Sequence, residues 1–136
     1  MTSDLDEVFA ELRRLNQPVP RPATLPSASA LGDEEARAGV AFHPDLRRYF
    51  LEVSDVVLGT LEPVTIGRGH TAFDTVLGNA REVGVPSALV PVCEDNGDYY
   101  CISPSGEVCY WSHAGATDER WPNLAAWIVE VWIGGR

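Results

Sequence analysis

The chain has 136 residues, of which 45% are hydrophobic and 22% charged, as in ordinary soluble globular domains. This length suits one domain and gives no reason to expect a second. Twenty acidic residues oppose ten basic ones, all of them arginine, so the formal net charge is −10. Because nucleic acids and anionic membranes attract cationic surfaces, this charge argues against both as partners and is compatible with a basic protein partner.

The compartment is predicted from the start of the chain and from cysteine usage. Residues 1–6 are acidic and lack the apolar core of a signal peptide, so we expect a cytoplasmic protein. Cys93, Cys101 and Cys109 recur every eight residues without a Cys-x-x-Cys pair. We expect them to be free, buried thiols and not metal ligands.

The first third of the chain is predicted to hold a helix and a Pro-rich strap. Ser3 and Asp6 make a capping box for a helix over residues 1–16, whose apolar residues recur at helical spacing. Prolines at 18, 20, 22 and 26 favour an extended, irregular strap over residues 17–31. Residues 32–136 are then expected to form the core of a single domain.

Further helices are indicated by caps and spacing. Residues 33–38 are predicted to form a short helical turn, and Pro44 is expected at the first position of a second helix. Residues 56–64 are predicted to be strand material, interrupted by glycine and proline. Thr71 and Asp74 are expected to cap a third helix that ends near Gly84. A last helix is predicted to open at Pro122 and to carry an apolar stripe with Trp127 and Trp132.

Residues 89–113 predict a three-stranded antiparallel meander. Asn96 and Gly97 supply the positive φ of a tight first turn, and the Ser-Pro-Ser-Gly run at 103–106 makes the second. Helices before and after such strands predict an α+β fold, in which an antiparallel meander sheet is flanked by helices.

Four segments carry a resemblance to a known family: LRRYFLEVSDVVLG at 46–59, CEDNGDYYCI at 93–102, VCYWSH at 108–113 and the closing tryptophan helix. Together they resemble the SUKH superfamily, which contains fungal cell-wall regulators of the Knr type and many bacterial immunity proteins. The resemblance implies a mixed α+β domain without catalysis that serves as a protein-binding scaffold. In bacteria such a scaffold often neutralises a cognate toxin.

Catalytic and metal-binding alternatives find little support in the sequence. The acidic turn fails the EF-hand pattern, since Tyr99 stands where that loop needs glycine. A Cys109 and His113 dyad is conceivable, because His113 is the imidazole nearest the meander in sequence, but a strand cysteine at that position usually faces a core. Glu94 and Glu107 remain open as a carboxylate pair for glycoside chemistry, because the sequence does not give their separation.

The acidic turn and its aromatic neighbours are instead predicted to be a partner-binding surface, since aromatic anchors and steering charges are typical of protein interfaces. Trp111 and Trp121 bracket a predicted acidic loop at 112–120, and each is either an exposed anchor or a half-buried rim residue. The predicted partner-binding residues are Glu94, Asp95, Asp98, Tyr99, Trp111 and His113.

The sequence therefore favours a noncatalytic immunity-type protein without cofactor or metal, whose partner is a basic toxin domain, a nuclease being one candidate. A cytosolic regulatory scaffold of the Knr type is the first alternative. A small hydrolase or metal-binding protein that uses the acidic turn at 94–98 is the second.

Overall fold

The structure, a computed structural model, describes residues 4–135. Its elements in chain order are α1 (Leu5–Leu15), α2 (Ala28–Ala38), α3 (Pro44–Val53), α4 (Phe73–Glu82), β1 (Val90–Asp95), β2 (Asp98–Ile102), β3 (Val108–Ser112), β4 (Gly115–Trp121) and α5 (Leu124–Trp127), which continues as a π-helical segment over Ile128–Ile133. The strands form one antiparallel sheet in the order β1-β2-β3-β4. The predicted α+β fold is confirmed.

Helix α1 forms as predicted but with another cap. Asp4 is its N-cap and accepts a hydrogen bond from the backbone N–H of Asp6 over 3.3 Å. Ser3, the predicted capping residue, lies outside the described residues. The apolar stripe buries Leu5, Val8, Phe9 and Leu12 against the rest of the domain, as the spacing indicated.

The Pro-rich strap is shorter than predicted. Helix α2 begins at Ala28, so the last four residues of the predicted irregular run are helical and the short turn expected at 33–38 is the second half of that helix. The start is fixed by Ser27, whose hydroxyl accepts from the backbone N–H of Ala30 over 3.1 Å. Alanine-rich sequence after a serine cap favours helix, and the prediction gave this too little weight.

Helix α3 begins at Pro44 as expected, but the strand predicted after it does not form. Residues 56–64 contain no strand; an isolated bridge joins Pro63 to Cys93, and Val64 donates to the carbonyl of Val92 over 2.9 Å. Gly59 has a positive φ of 65°, and a proline has no N–H to extend a ladder.

The caps of the last two helices also differ from the predictions. Helix α4 has Ala72 as N-cap without a side-chain bond, and the hydroxyl of Thr71 pairs with Thr65 over 3.0 Å. Helix α5 begins at Leu124, two residues after Pro122, because the side chain of Asn123 caps it.

The sheet has a fourth strand where an acidic loop was predicted. Strand β4 pairs antiparallel with β3, with Val108 opposite Trp121 and Ser112 opposite Gly115. An irregularity between Cys109 and Trp111 leaves extra residues on the β4 side. As one of the two outer strands of the sheet, β4 tolerates exposed polar residues and a bulge, which protect an edge against unwanted pairing.

The core is one cluster of buried apolar side chains from the helices and the sheet. Phe42 and Phe73 meet edge-on with ring centroids 5.0 Å apart, and Tyr100 lies 5.3 Å from Trp127. Complete burial of one such ring contributes about 1.5–3 kcal/mol to folding. The predicted core positions of Trp127 and Trp132 are confirmed, whereas Trp121, with 3% exposure, is also core and not an exposed anchor.

All three cysteines are free and buried, as predicted. Within residues 4–135 no helix is both long and apolar enough to cross a lipid bilayer.

Candidate functional site

The turn between β1 and β2 is the tight hairpin that the sequence indicated. Asn96 and Gly97 have φ values of 54° and 88°, the left-handed conformation that asparagine tolerates and glycine adopts freely. The carboxylate of Glu94 accepts a hydrogen bond from the backbone N–H of Gly97 over 2.6 Å. The turn is therefore held by one of its own side chains, that of Glu94.

Asp98 joins this turn to the turn between β3 and β4. Its Oδ2 accepts from the hydroxyl of Tyr110 over 2.7 Å, and its Oδ1 accepts from the backbone N–H of His113 over 2.8 Å. The ring nitrogen Nδ1 of His113 lies 2.9 Å from the same Oδ1. The two turns therefore lie side by side at one end of the sheet.

These contacts change the proton affinity of Asp98 and of Tyr110. Desolvation raises the pKa of Asp98, but the hydrogen bonds from Tyr110 and His113 outweigh it and lower the pKa below its usual value. Burial and the bond to this carboxylate raise the pKa of Tyr110. Asp98 is therefore a structural acceptor with both oxygens in use, which limits the role in partner binding that was predicted for it.

The six predicted partner-binding residues lie near one another but on two faces of the sheet. Glu94 is opposite Tyr99, and Tyr99 is opposite Trp111, so these three share one face. Asp95 is opposite Asp98 on the other face. Successive side chains of a strand point to opposite faces, so a partner that contacts all six residues must cover the end of the sheet and not one of its faces.

The two aromatic residues of the predicted site offer little surface. Tyr99 is only 3% exposed. Trp111 is half-buried, and its indole Nε1 is buried without a hydrogen-bond partner in the part of the chain that the structure describes. The surface that this end of the sheet presents to solvent is consequently acidic more than aromatic.

Two residues that the sequence analysis did not single out also belong to this end. Glu62 and His70 are joined by a 2.7 Å contact, and both line a cavity of about 140 Å³ whose other wall contains Glu94 and Asp95. They come from the loop between α3 and α4, more than twenty residues before the hairpin, and no sequence pattern links them to it. We call Glu62, Glu94, Asp95 and Asp98, with the exposed His70 and His113, the acidic end.

The arginines are concentrated elsewhere. Salt bridges neutralise all the arginines of α1, α2 and α3; the pairs are Arg13–Asp55, Arg14–Glu11, Arg37–Glu34, Arg47–Glu35, and Arg48 with Asp6 and Glu52. Residues 89–121, by contrast, carry six acidic residues and one arginine. Among the described residues neither Glu94 nor Asp95 forms a salt bridge. Such surface pairs contribute little stability. They compensate these five arginines, while carboxylates such as Glu7 and Asp33 on the helices, like Glu94 and Asp95 at the hairpin, have no salt bridge among the described residues.

The described residues form neither the Cys109 and His113 dyad nor a metal site. Cys109 and His113 are four residues apart along β3 and its turn, about 13 Å in an extended strand, and the His113 ring contacts Asp98. Burial raises the pKa of all three cysteines, that of Cys93 to about 12, which opposes thiolate chemistry. Residues 4–135 contain no group of three or more metal-ligating side chains placed to hold an ion.

His43 also approaches the meander, although it is far from it in sequence. His43 caps α3 by accepting from the backbone N–H of Asp45 over 3.0 Å. Its Nε2 lies so close to Gly106 in the second turn that a Cβ there would be 2.7 Å away. This contact packs the turn against the start of α3.

Comparison with known proteins places this architecture in a family. The family model SUKH_5, described as SMI1-KNR4 cell-wall, matches residues 5–133. A search among curated proteins finds no match. A solved crystal structure of a protein from Pseudomonas syringae pv. tomato is 38% identical, with a TM-score of 0.91 over 95% of this chain and 98% of that chain. The α+β fold, the four-stranded meander and the nearly complete family match agree with the resemblance seen in the sequence, and the chain belongs to the SUKH family of SMI1-KNR4 type.

Proposed function

We propose that this protein is a noncatalytic binding module that uses its acidic end to hold a basic protein partner, and that the partner is a toxin which the module neutralises. The observation that carries the proposal is the group of carboxylates at one end of the sheet, where Glu62, Glu94 and Asp95 line one cavity. The helices neutralise their own arginines, while Glu94 and Asp95 stand at a rigid turn without a counter-charge among the described residues.

A rigid acidic surface has two effects on binding. Its electrostatic potential raises the rate of association with a basic surface, and it repels acidic proteins. Because Glu94 is already fixed by the Gly97 N–H, little side-chain entropy is lost when a partner arrives. Fixed carboxylates at a turn can also occupy the basic groove in which a nuclease would hold phosphate, which is how such a module would block that class of toxin.

Family membership supports the binding role more than it supports any chemistry. The resemblance to SUKH proteins implies a scaffold, and two kinds of group considered for catalysis, the Asp98 carboxylate and the thiols, are not available. Both Asp98 oxygens accept internal hydrogen bonds, and the thiols are buried. The regulatory scaffold of the Knr type differs from the immunity role only in its partner, so the partner decides between them.

The test is partner capture followed by rescue. The full chain and two variants are used as bait in an extract of the native host, and captured proteins are identified by mass spectrometry. The first variant, Glu94→Gln with Asp95→Asn, removes two charges from the acidic end. The second, Glu7→Gln with Asp33→Asn, removes two charges from exposed helix positions and serves as the matched control. Neither residue makes a salt bridge within residues 4–135.

The proposal expects a basic protein that is captured by the wild type and by the control but lost with the first variant. Expression of that protein alone should arrest growth of a laboratory bacterium, and co-expression of the wild type should restore it. A captured partner that is acidic, or one that the first variant retains fully, contradicts the acidic end as the interface. A basic partner without toxicity retains the binding role and favours the regulatory scaffold.

A further inference from the structure

We propose that the acidic end continues into an apolar groove beneath the Pro-rich strap, and that the two together accept an extended partner segment with an apolar and a basic end. This inference rests on the proposed function and specifies which kind of segment the partner presents. It comes from a second cavity, of about 250 Å³, between the strap and the loop after α3.

The strap spans this cavity without filling it. At its start, the backbone N–H of Gln17 donates to the carbonyl of Val57 over 2.8 Å, and its side chain accepts from the N–H of Gly59 over 3.2 Å. At its end, Ser27 caps α2. Residues 17–25 between these anchors are exposed, and Ala23 lines the cavity from the strap side. A small side chain at this position leaves room that a larger one would occupy.

The floor of the groove is firmly held. The hydroxyl of Tyr49 donates to the carbonyl of Val64 over 2.7 Å, and Trp132 Nε1 donates to the carbonyl of Leu58 over 3.1 Å. Both aromatic rings belong to the buried core. Two core side chains therefore anchor the loop at Leu58 and Val64, on either side of the residues at 59–63 that line the groove.

The groove and the acidic end are continuous. Leu61, Glu62 and Thr71 line both this cavity and the smaller one beside Glu94 and Asp95. The cavity beneath the strap is lined by apolar residues such as Val56 and Pro63 and by uncharged polar residues such as Ser54 and Thr65. The cavity at the hairpin is lined by the carboxylates of Glu62, Glu94 and Asp95. Asp55, the acidic residue at the strap end, is already paired with Arg13 over 2.8 Å.

The change from apolar to acidic lining along the groove determines which partner segment fits it. A volume of about 250 Å³ equals that of roughly eight water molecules, which is room for one large apolar side chain. The carboxylates at the other end favour arginine or lysine, and attraction to a basic partner brings such a segment to the site. A partner segment with an apolar residue followed by basic residues matches this order.

Synthetic peptides test the match by chemical-shift mapping on the ¹⁵N-labelled full chain. The probe is an acetylated, amidated six-residue peptide with two leucines at one end and two arginines at the other, separated by glycines. One control peptide replaces the leucines by alanine, and a second replaces the arginines by glutamate. The proposal expects the probe to shift backbone amides at Ala23, Gly59 and Asn96 together, and the alanine peptide to bind at least about fivefold more weakly, as the loss of a buried apolar side chain implies.

Two variants of the chain supply the matched comparison. Ala23→Phe fills the cavity from the strap, and Thr24→Phe places the same ring on a neighbouring exposed residue that does not line it. Ala23→Phe should weaken the probe at least fivefold but leave the alanine peptide unchanged, and Thr24→Phe should change neither more than twofold. The ¹H–¹⁵N spectra of the free variants report that each is folded.

The outcomes separate this inference from the proposed function. If leucines make no difference and only the acidic end shifts, or if Ala23→Phe has no effect, the groove is refuted while the acidic end stands. If the glutamate peptide binds as well as the probe, the acidic end is refuted together with the groove. If no peptide binds at millimolar concentration, the groove is also refuted as a binding site. The acidic end is then tested only by the capture experiment.

Discussion

Removal of the Asp98 carboxylate should destabilise the protein, because this side chain ties two turns and two strands together. Asp98→Ala takes away the acceptor of the Tyr110 hydroxyl and of the His113 backbone N–H, which lie 2.7 and 2.8 Å away. A hydrogen bond to a charged group contributes about 1.5–3 kcal/mol. The ring contact with His113 adds little, because 78% of that side chain is exposed. Both bonds are partly exposed, so we expect a loss of about 3 kcal/mol in the free energy of unfolding.

Urea denaturation at pH 7, followed by far-UV circular dichroism, measures this loss. Asp95→Ala is the matched control, because Asp95 is directly opposite Asp98 in the same hairpin. Among the described residues, the one hydrogen bond of its side chain is accepted from the Asn96 amide over 3.3 Å. It should change stability by less than about 0.5 kcal/mol, and the removal of one of two facing like charges offsets part of the loss. Equal losses in the two variants would refute the structural role assigned to Asp98.

The pH dependence of the same difference has a definite sign. The pKa of Asp98 is lowered in the folded protein, so its contribution is present above the ordinary aspartate value of about 3.9 and is lost as the pH falls through the lower, folded-state value. The stability difference between the wild type and Asp98→Ala should therefore be constant from about pH 5 upward to where other groups titrate, and should shrink in stronger acid. A difference that grows toward acid would contradict this pKa direction.

Three further outcomes follow from burial and backbone geometry. Cys101→Ser should lower the free energy of unfolding by about 1–3 kcal/mol, because it places a hydroxyl in a fully buried site, while elemental analysis of the wild type should find no zinc. Gly106→Ala should lower the free energy of unfolding by about 1–3 kcal/mol because of its φ of 94°, and by more because the added methyl group collides with His43. Gly39→Ala is the control for the backbone effect alone, since Gly39 has a φ of 70° and open space around it. The thiols of the native protein should not react with an aromatic disulfide reagent at pH 8 until denaturant is added, because burial raises the pKa of Cys93 to about 12 and also raises that of Cys101. One rapidly reacting thiol in the native protein would contradict this.

Much of the fold could be predicted because its signals are local. The helical spacing before Leu15, the proline at the start of α3, and the Asn-Gly turn each act within a few residues, and the structure has them where they were expected. Strand β4 was missed for the opposite reason. Its residues Thr117, Asp118 and Glu119 are polar on both faces, and such a run becomes a strand only because β3 lies beside it.

The candidate site was only partly predictable because it depends on contacts distant in sequence. The pairing of Asp98 with His113 follows from two adjacent turns, and the sequence placed both residues in the site without showing that one serves the other. Glu62 comes from the segment that was predicted to be a strand, and His70 comes from the residues after it, for which no element was predicted. Their position beside Glu94 depends on the long-range bond from Val64 to Val92.

The central claim, that the acidic end holds a basic partner, is tested most directly by the association rate constant of the captured partner at low and high salt. Measurements compare the wild type with Glu94→Gln/Asp95→Asn and with the control Glu7→Gln/Asp33→Asn. Charges are screened beyond about 10 Å at 0.1 M salt, so the wild-type rate should fall steeply as salt increases. The first variant should associate slowly and lose most of that salt dependence, while the control keeps it. Equal rates and equal salt slopes in the two double variants would contradict the account and place the interface elsewhere on the domain.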